Sequence, residues 1–270
     1  MKLSLAFSPC PNDTFIFDAM VNGMIDTGDY RFEVRLADVQ ELNEMAFKGV
    51  NDCTKISYGA YPLMAAQYTV LNAGSALGQG VGPLLIASRP GMDIRDESVA
   101  VAIPGEHTTA HLLFNMVYPG KSNKVFMRYD KVEDFVLQGR GAGVIIHENR
   151  FTYAARGLHR LADLGTLWED RMKIAIPLGG IVVRRSLGEK VAADLSGMIR
   201  ESLQYAWDQY PGLSAFIKNN AQEMSEDVMR QHINLYVNEY SADLGPEGRS
   251  AIEQLMHYSG MEPVQGMFAG

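Results

Sequence analysis

Four short segments contain residue types that can hold or deprotonate a small anionic molecule, and one of them presents a histidine. Val144-Ile145-Ile146 is followed at once by His147-Glu148-Asn149-Arg150. A residue at the mouth of a buried apolar strand is held rigidly and loses part of its water. An imidazole there, with an unperturbed pKa of about 6.5, can be neutral and act as a general base. Glu148 or Asn149 could orient the ring, and Arg150 could bind an anionic group. A satisfied structural histidine fits the same residues, so spacing alone leaves both readings open.

The other three segments offer binding groups. In Thr54-Lys55-Ile56-Ser57-Tyr58 an extended backbone sends Lys55 and Ser57 to one side, a cation and a hydroxyl for a carboxylate or hydroxyl partner. A surface lysine beside a helix-capping serine also explains them. Gly105-Glu106-His107-Thr108-Thr109-Ala110 places adjacent threonines at a helix start, where amide N–H groups and the helix dipole favour a carboxylate. Threonine is equally a common structural cap. Ser8-Pro9-Cys10-Pro11-Asn12-Asp13-Thr14 is stiffened by two prolines, and Ser8, Asn12, Asp13 and Thr14 can cap the next helix or face a ligand. His107, His111, His159, His232 and His257 are scattered, the last two in helical segments. No His, Cys or carboxylate spacing reads as a metal site, and neither a P-loop nor a dinucleotide glycine fingerprint occurs. The Gly74–Gly82 stretch reads as a connector or lip.

These segments fall where strands are expected to end and helices to begin. Strands are predicted at Leu3–Phe7, Arg31–Leu36, Thr54–Ser57, Val81–Ser88, Val99–Ile103, Lys124–Arg128, Gly143–Ile146 and Ile181–Arg184. Helices are predicted at Thr14–Asn22, Val39–Phe47, Thr108–Val117, Val132–Gln138, Leu187–Tyr210, Ser225–Tyr240 and Pro246–Tyr258. A further helix with Tyr58, Tyr61 and Met64 on its faces follows Ser57. The alternation argues for an α/β fold with mostly parallel sheets, and such folds bind ligands outside the carboxyl ends of their strands. The expected organisation is an outer lobe from residues 1–86 and 183–270, an inserted lobe from 87–182, and a cleft between them.

Bulk properties narrow the partners. The chain has 270 residues, enough for one large domain or two modest lobes. A formal net charge of −8 disfavours nucleic acid but leaves room for a small anionic substrate. Met1 to Phe7 is too short for a signal-peptide apolar region before Pro9 and Pro11, and no run approaches the ~18 apolar residues of a membrane span. Cys10 and Cys53 form no disulfide framework. A cytoplasmic protein is expected.

Taken together, Ser8-Pro9-Cys10-Pro11-Asn12-Asp13-Thr14-Phe15, Lys55-Ile56-Ser57-Tyr58, Leu77-Gly78-Gln79-Gly80-Val81-Gly82-Pro83, His107-Thr108-Thr109-Ala110 and Ile145–Tyr153 resemble the 1,4-dihydroxy-6-naphthoate synthases of the futalosine route to menaquinone. The resemblance covers about the first 185 residues and weakens in the C-terminal helices. It implies a two-lobed periplasmic-binding-protein-like fold of type II, used inside the cell. It also implies a lyase that converts cyclic dehypoxanthinylfutalosine to 1,4-dihydroxy-6-naphthoate with no metal or nucleotide cofactor. By resemblance the general base is His147, and the substrate contacts are Lys55, Ile56, Ser57, Thr109 and Ala110, with Thr108 adjacent. Ser8, Asn12 and Arg150 are placed near the cleft without an assigned contact. The rival readings are chorismate dehydratase, an enzyme of the same pathway and fold, and a non-catalytic binding protein for a small anion.

Overall fold

The predicted strand-turn-helix pattern can be followed element by element. A computed structural model describes residues 1–222 and 225–269. The chain begins with β1 (Lys2–Phe7), α1 (Pro11–Val21), β2 (Arg31–Leu36), α2 (Val39–Phe47), β3 (Cys53–Ser57), a 3-10 helix Tyr58–Leu63, β4 (Tyr68–Val70) and β5 (Ala76–Gly78). Next come β6 (Leu84–Ala87), β7 (Ala100–Ile103), α3 (Thr109–Val117), β8 (Lys124–Phe126), α4 (Val132–Leu137), β9 (Gly141–Ile145), α5 (Asn149–Thr152), β10 (His159–Asp163) and α6 (Leu164–Met172). The chain ends with β11 (Ile176–Arg184), α7 (Gly188–Gln209), α8 (Ala215–Asn220), α9 (Glu226–Tyr236), α10 (Glu239–Ala242) and α11 (Gly245–Tyr258). Among the described residues no helix is long and apolar enough to cross a membrane.

Two compact units result, one from Met1–Gly78 with Pro177–Gly270 and one from Gln79–Ile176. Their dividing points lie ahead of residues 86/87 and 182/183, so β6 belongs wholly to the second unit. The first unit contains a sheet of order β2-β1-β3-β11-β4, with β5 also on β11. β1 pairs in parallel with β2 and β3, while β11 runs antiparallel to β3 and β4. The second unit contains a sheet of order β10-β6-β9-β7-β8, parallel at β7–β8 and β7–β9 and antiparallel at β6–β9 and β10–β6. Parallel pairing occurs where a helix or a long connection returns the chain to the same end of the sheet.

In the first unit α1 is buried on nearly every face, because the β1 sheet covers one side and α7, α8 and α9 cover the others. Phe7 and Phe17 stack with ring centroids 4.5 Å apart. Burying side chains of this size stabilises the unit by roughly 1.5–3 kcal/mol each. Pro11 occupies the first helical turn, where its missing N–H costs nothing, so α1 starts three residues before the predicted Thr14. Every β3 side chain is buried, as is that of every β9 residue. β9 therefore reads as a continuous run of small and apolar residues, whereas β3 is buried on both faces although it includes Lys55.

Several predicted elements are altered by local chemistry. The single helix expected over Ser225–Tyr240 breaks at Val237, because Asn238 caps α10 through a reciprocal hydrogen bond with Ser241. The Asn238 side chain also donates to the Leu77 carbonyl at 2.9 Å. The strand expected over Val81–Ser88 is confined to β6, since Gly82 packs backbone-to-backbone on Gly165 at the start of α6. β5 lies inside the stretch read as a connector, and β4, β10 and α6 had no predicted counterpart. Three-residue strands are too short to show a period, and α6 has a mixed surface that conceals one.

Candidate active site

In the first unit the polar residues at the ends of β1 and β3 converge on one carboxylate. The Ser8–Asp13 turn ends β1 and opens α1, and Asp13 is buried in the helix's first turn. Its Oδ2 accepts the Ser8 hydroxyl at 2.7 Å and the Ser8 N–H at 3.2 Å. Its Oδ1 accepts the Asn12 amide at 2.9 Å and the Lys55 ammonium at 2.8 Å. Lys55 is only 6% exposed. A buried ammonium is tolerable only with a carboxylate beside it, and Asp13 provides one. Lys55 Nζ donates also to the Gly74 carbonyl at 3.4 Å. Gly74 adopts φ +90°, and a Cβ there would strike Ile181, so only glycine turns its carbonyl this way.

Lys55 and Ser57 share a side of β3, and Ile56 is fully buried between them against Gly180 of β11. Ser57 is held at both ends by the buried Asn43 of α2, whose Oδ1 accepts the Ser57 N–H at 2.8 Å while its Nδ2 donates to Ser57 Oγ at 3.2 Å. Tyr58 and Ser75 share a buried hydrogen bond of 2.6 Å over Gly180. Burial pushes the Tyr58 phenol upward, so it stays protonated. A Cβ on Gly180 would collide with the Tyr58 hydroxyl. The imidazole of His232, from α9, closes the network with Nε2 3.0 Å from Asn12 Oδ1.

In the second unit Thr108 is the N-cap of α3. Its hydroxyl accepts the His111 N–H at 3.2 Å and donates to the Gly105 carbonyl at 3.0 Å. Thr109 and Ala110 form the buried first turn, where helical amide N–H groups lack intrahelical acceptors. His147 stands two residues beyond β9 in a turn, with φ +57°, the left-handed region that non-glycine residues avoid. Its ring meets the Tyr129 ring edge-on, with centroids 4.9 Å apart. The next residue, Glu148, is buried; burial above all, with the charges of Glu133 and Asp130, pushes its carboxyl up to about 7. Arg150 is committed within this unit: its guanidinium bonds the Gly82 carbonyl and pairs with Asp163 at 2.9 Å. It thereby ties the glycine stretch to the start of α6, whose N-cap is Asp163.

Ser8, Asn12, Lys55 and Ser57 are thus brought into a single neighbourhood of the first unit, while in the second Thr108, Thr109 and Ala110 open α3, His147 lies in the turn after β9, and Arg150 lies in α5. Sequence reasoning left Asp13 either capping the next helix or facing a ligand, noted His232 only as a scattered helical histidine, and passed over Asn43 and Tyr129. A carboxylate in the same rigid turn as Ser8 and Asn12 was a usable signal for Asp13. Nothing in the spacing connects His232 with a residue 220 positions away. Among the described residues no group of three or more His, Cys, Asp or Glu side chains is placed to hold a metal ion.

The chain as a whole resembles known proteins. A family model described as menaquinone biosynthesis matches residues 3–260. The chain is 43% identical to a 1,4-dihydroxy-6-naphthoate synthase of Thermus thermophilus over 94% of its own length and 92% of that protein's. It is 42% identical to a protein of the same name from Streptomyces coelicolor, covering 94% and 91%. A crystal structure from Archaeoglobus fulgidus superposes with a TM-score of 0.88 at 30% identity, over 96% of this chain and 97% of that one. A Candida albicans protein with the generic periplasmic binding protein fold superposes with a TM-score of 0.70 at 12% identity, over 99% and 93%, a likeness of fold alone. The chain therefore belongs to the menaquinone-biosynthesis family that contains the 1,4-dihydroxy-6-naphthoate synthases.

Proposed function

We propose that this enzyme acts in the cytoplasm on cyclic dehypoxanthinylfutalosine and releases 1,4-dihydroxy-6-naphthoate, with His147 as the general base. Lys55, Ile56, Ser57, Thr108, Thr109 and Ala110 hold the substrate in this reading. The observation that carries it is the backbone of His147, a non-glycine residue kept at φ +57° two residues beyond a buried strand. Such a conformation costs about 1–2 kcal/mol. It persists where the surroundings over-determine it, as they do around positioned catalytic groups.

The chemistry follows from the placement. The substrate's aryl carboxylate suits the first turn of α3, where the Thr108 hydroxyl is already spent on the cap and backbone N–H groups do the gripping. Lys55, fixed by Asp13, offers a second positive group, and Ser57, fixed by Asn43, a hydroxyl. His147 takes a proton from the sugar-derived part of the substrate. The electron pair left behind expels the neighbouring carbon or oxygen substituent, and formation of an aromatic ring makes the step downhill. Placement of the base and exclusion of water are then most of the protein's contribution.

The test is to incubate the protein with cyclic dehypoxanthinylfutalosine, and separately with chorismate, and follow product by absorbance and mass. His147→Asn should bind the substrate while turnover falls by roughly 10²–10⁴. Near-normal turnover in that variant removes the imidazole from the role. Consumption of chorismate alone would favour a dehydratase, and capture without product a binding protein.

A further inference from the structure

The first unit contains a fully buried imidazole that the proposed reaction never touches. His232 lies on the inner face of α9 with Met229, Ile233 and Tyr236, its ring tilted against Tyr236 at 4.7 Å. An apolar residue would satisfy that helix face for packing alone. The imidazole instead reaches Asn12, at the start of α1, with Nε2 3.0 Å from Oδ1.

The direction of each hydrogen bond follows from Asp13. As a carboxylate it only accepts, so the Asn12 group facing its Oδ1 at 2.9 Å is the NH₂ end. The Asn12 carbonyl then faces His232, and Nε2 must bear a proton to donate to it. The same Asp13 Oδ1 receives the Lys55 ammonium at 2.8 Å, while Ser8 saturates Oδ2. One line of donors and acceptors thus runs from α9 through the α1 turn to β3.

We propose that His232 is a positioning residue for Lys55: by holding the Asn12 carbonyl it keeps the Asn12 amide on Asp13, and so fixes where Asp13 holds the ammonium. The inference rests on the proposed role of Lys55 in binding substrate. Without the imidazole donor the buried Asn12 carbonyl loses its partner. The carboxamide is then free to rotate, and a carbonyl turned toward Asp13 would repel the carboxylate that anchors Lys55.

Three variants and one spectrum decide it. His232→Phe removes the donor and should raise KM for the substrate about tenfold, with a smaller change in kcat. His232→Gln retains an N–H donor and should restore most of that loss. Met229→Ala removes packing from the same face of α9 and should lower Tm while leaving KM near the wild-type value. Equal losses of Tm in all three, with KM unmoved, would reduce His232 to a packing residue and overturn the proposal. The ¹⁵N spectrum of the imidazoles in the full wild-type chain, without substrate, should show His232 protonated at Nε2. A neutral ring protonated only at Nδ1 would overturn it even if His232→Phe does not fold. If the wild type fails to turn over the substrate, the functional reading falls while the spectrum still judges the His232–Asn12 bond.

Discussion

Replacing Glu148 with glutamine should stabilise the protein above neutral pH and have much less effect in mild acid. Glu148 follows His147 directly, is buried, and has a pKa pushed up to about 7 from an ordinary 4.5. Burial is the largest cause; the charges of Glu133 and Asp130 add to it, and hydrogen bonds, one of them with Tyr129, act the other way. Glu133 is itself paired with Arg156, and Asp130 with Arg128 and Lys131. The folded protein therefore holds this proton more tightly than the unfolded chain. The carboxyl costs nothing well below pH 4.5, and stability is lost as pH rises through 7. The interval from 4.5 to about 7 corresponds to ~3 kcal/mol once the group is fully ionised, and to within about 1 kcal/mol at pH 5. For a chain of this size that is about 6 °C in Tm at pH 8.5. Urea and thermal melts of wild type and Glu148→Gln, followed by circular dichroism from pH 5 to 9, isolate the effect, because every other titrating group is common to both. A difference that stays constant across the range, or a variant less stable than wild type at pH 8.5, would refute the reasoning.

Asp13→Asn should destabilise the first unit by roughly 3–5 kcal/mol, since it strands the buried Lys55 ammonium. Adding Lys55→Met to that variant should recover part of the loss, and a double-mutant cycle with no coupling would show that the pair is not interacting. Gly180→Ala should lower Tm by several degrees, because its Cβ meets the Tyr58 hydroxyl; an unchanged melting curve would show that the Tyr58–Ser75 pair moves aside freely. Thr108→Ala should cost about 1 kcal/mol through the lost α3 cap. Its KM should change little if backbone N–H groups rather than the Thr108 hydroxyl grip the substrate, and a tenfold rise in KM would contradict that division of labour.

Much of the local architecture was legible from residue order. Arg31–Leu36 and Val39–Phe47 have the bounds their alternation and spacing predict, and Gly139 follows the helix predicted from Val132 with a positive φ. Local rules suffice there because each signal, a period or a cap, acts within a few residues. The same holds for Thr108, whose capping geometry is complete within the span Gly105–His111. Chemistry-bearing residues could also be nominated, since Ser8, Asn12, Lys55, Ser57 and His147 all fall at predicted strand ends.

Their partners could not be nominated. Asp13 with Lys55, Asn43 with Ser57, Arg150 with Asp163 and His232 with Asn12 are pairings across loops and sheets, separated by as many as 220 positions. Whether a lysine is a solvated surface cation or a buried one clamped to a carboxylate depends on what the fold places beside it. The pKa of Glu148 depends in the same way on Glu133 and Asp130 and on lost water, none of which residue order expresses. Residue types and short-range spacing determined which groups this protein has and which elements present them. Burial and long-range pairing, properties of the packed chain alone, decided which of those groups are charged, which are held, and by what.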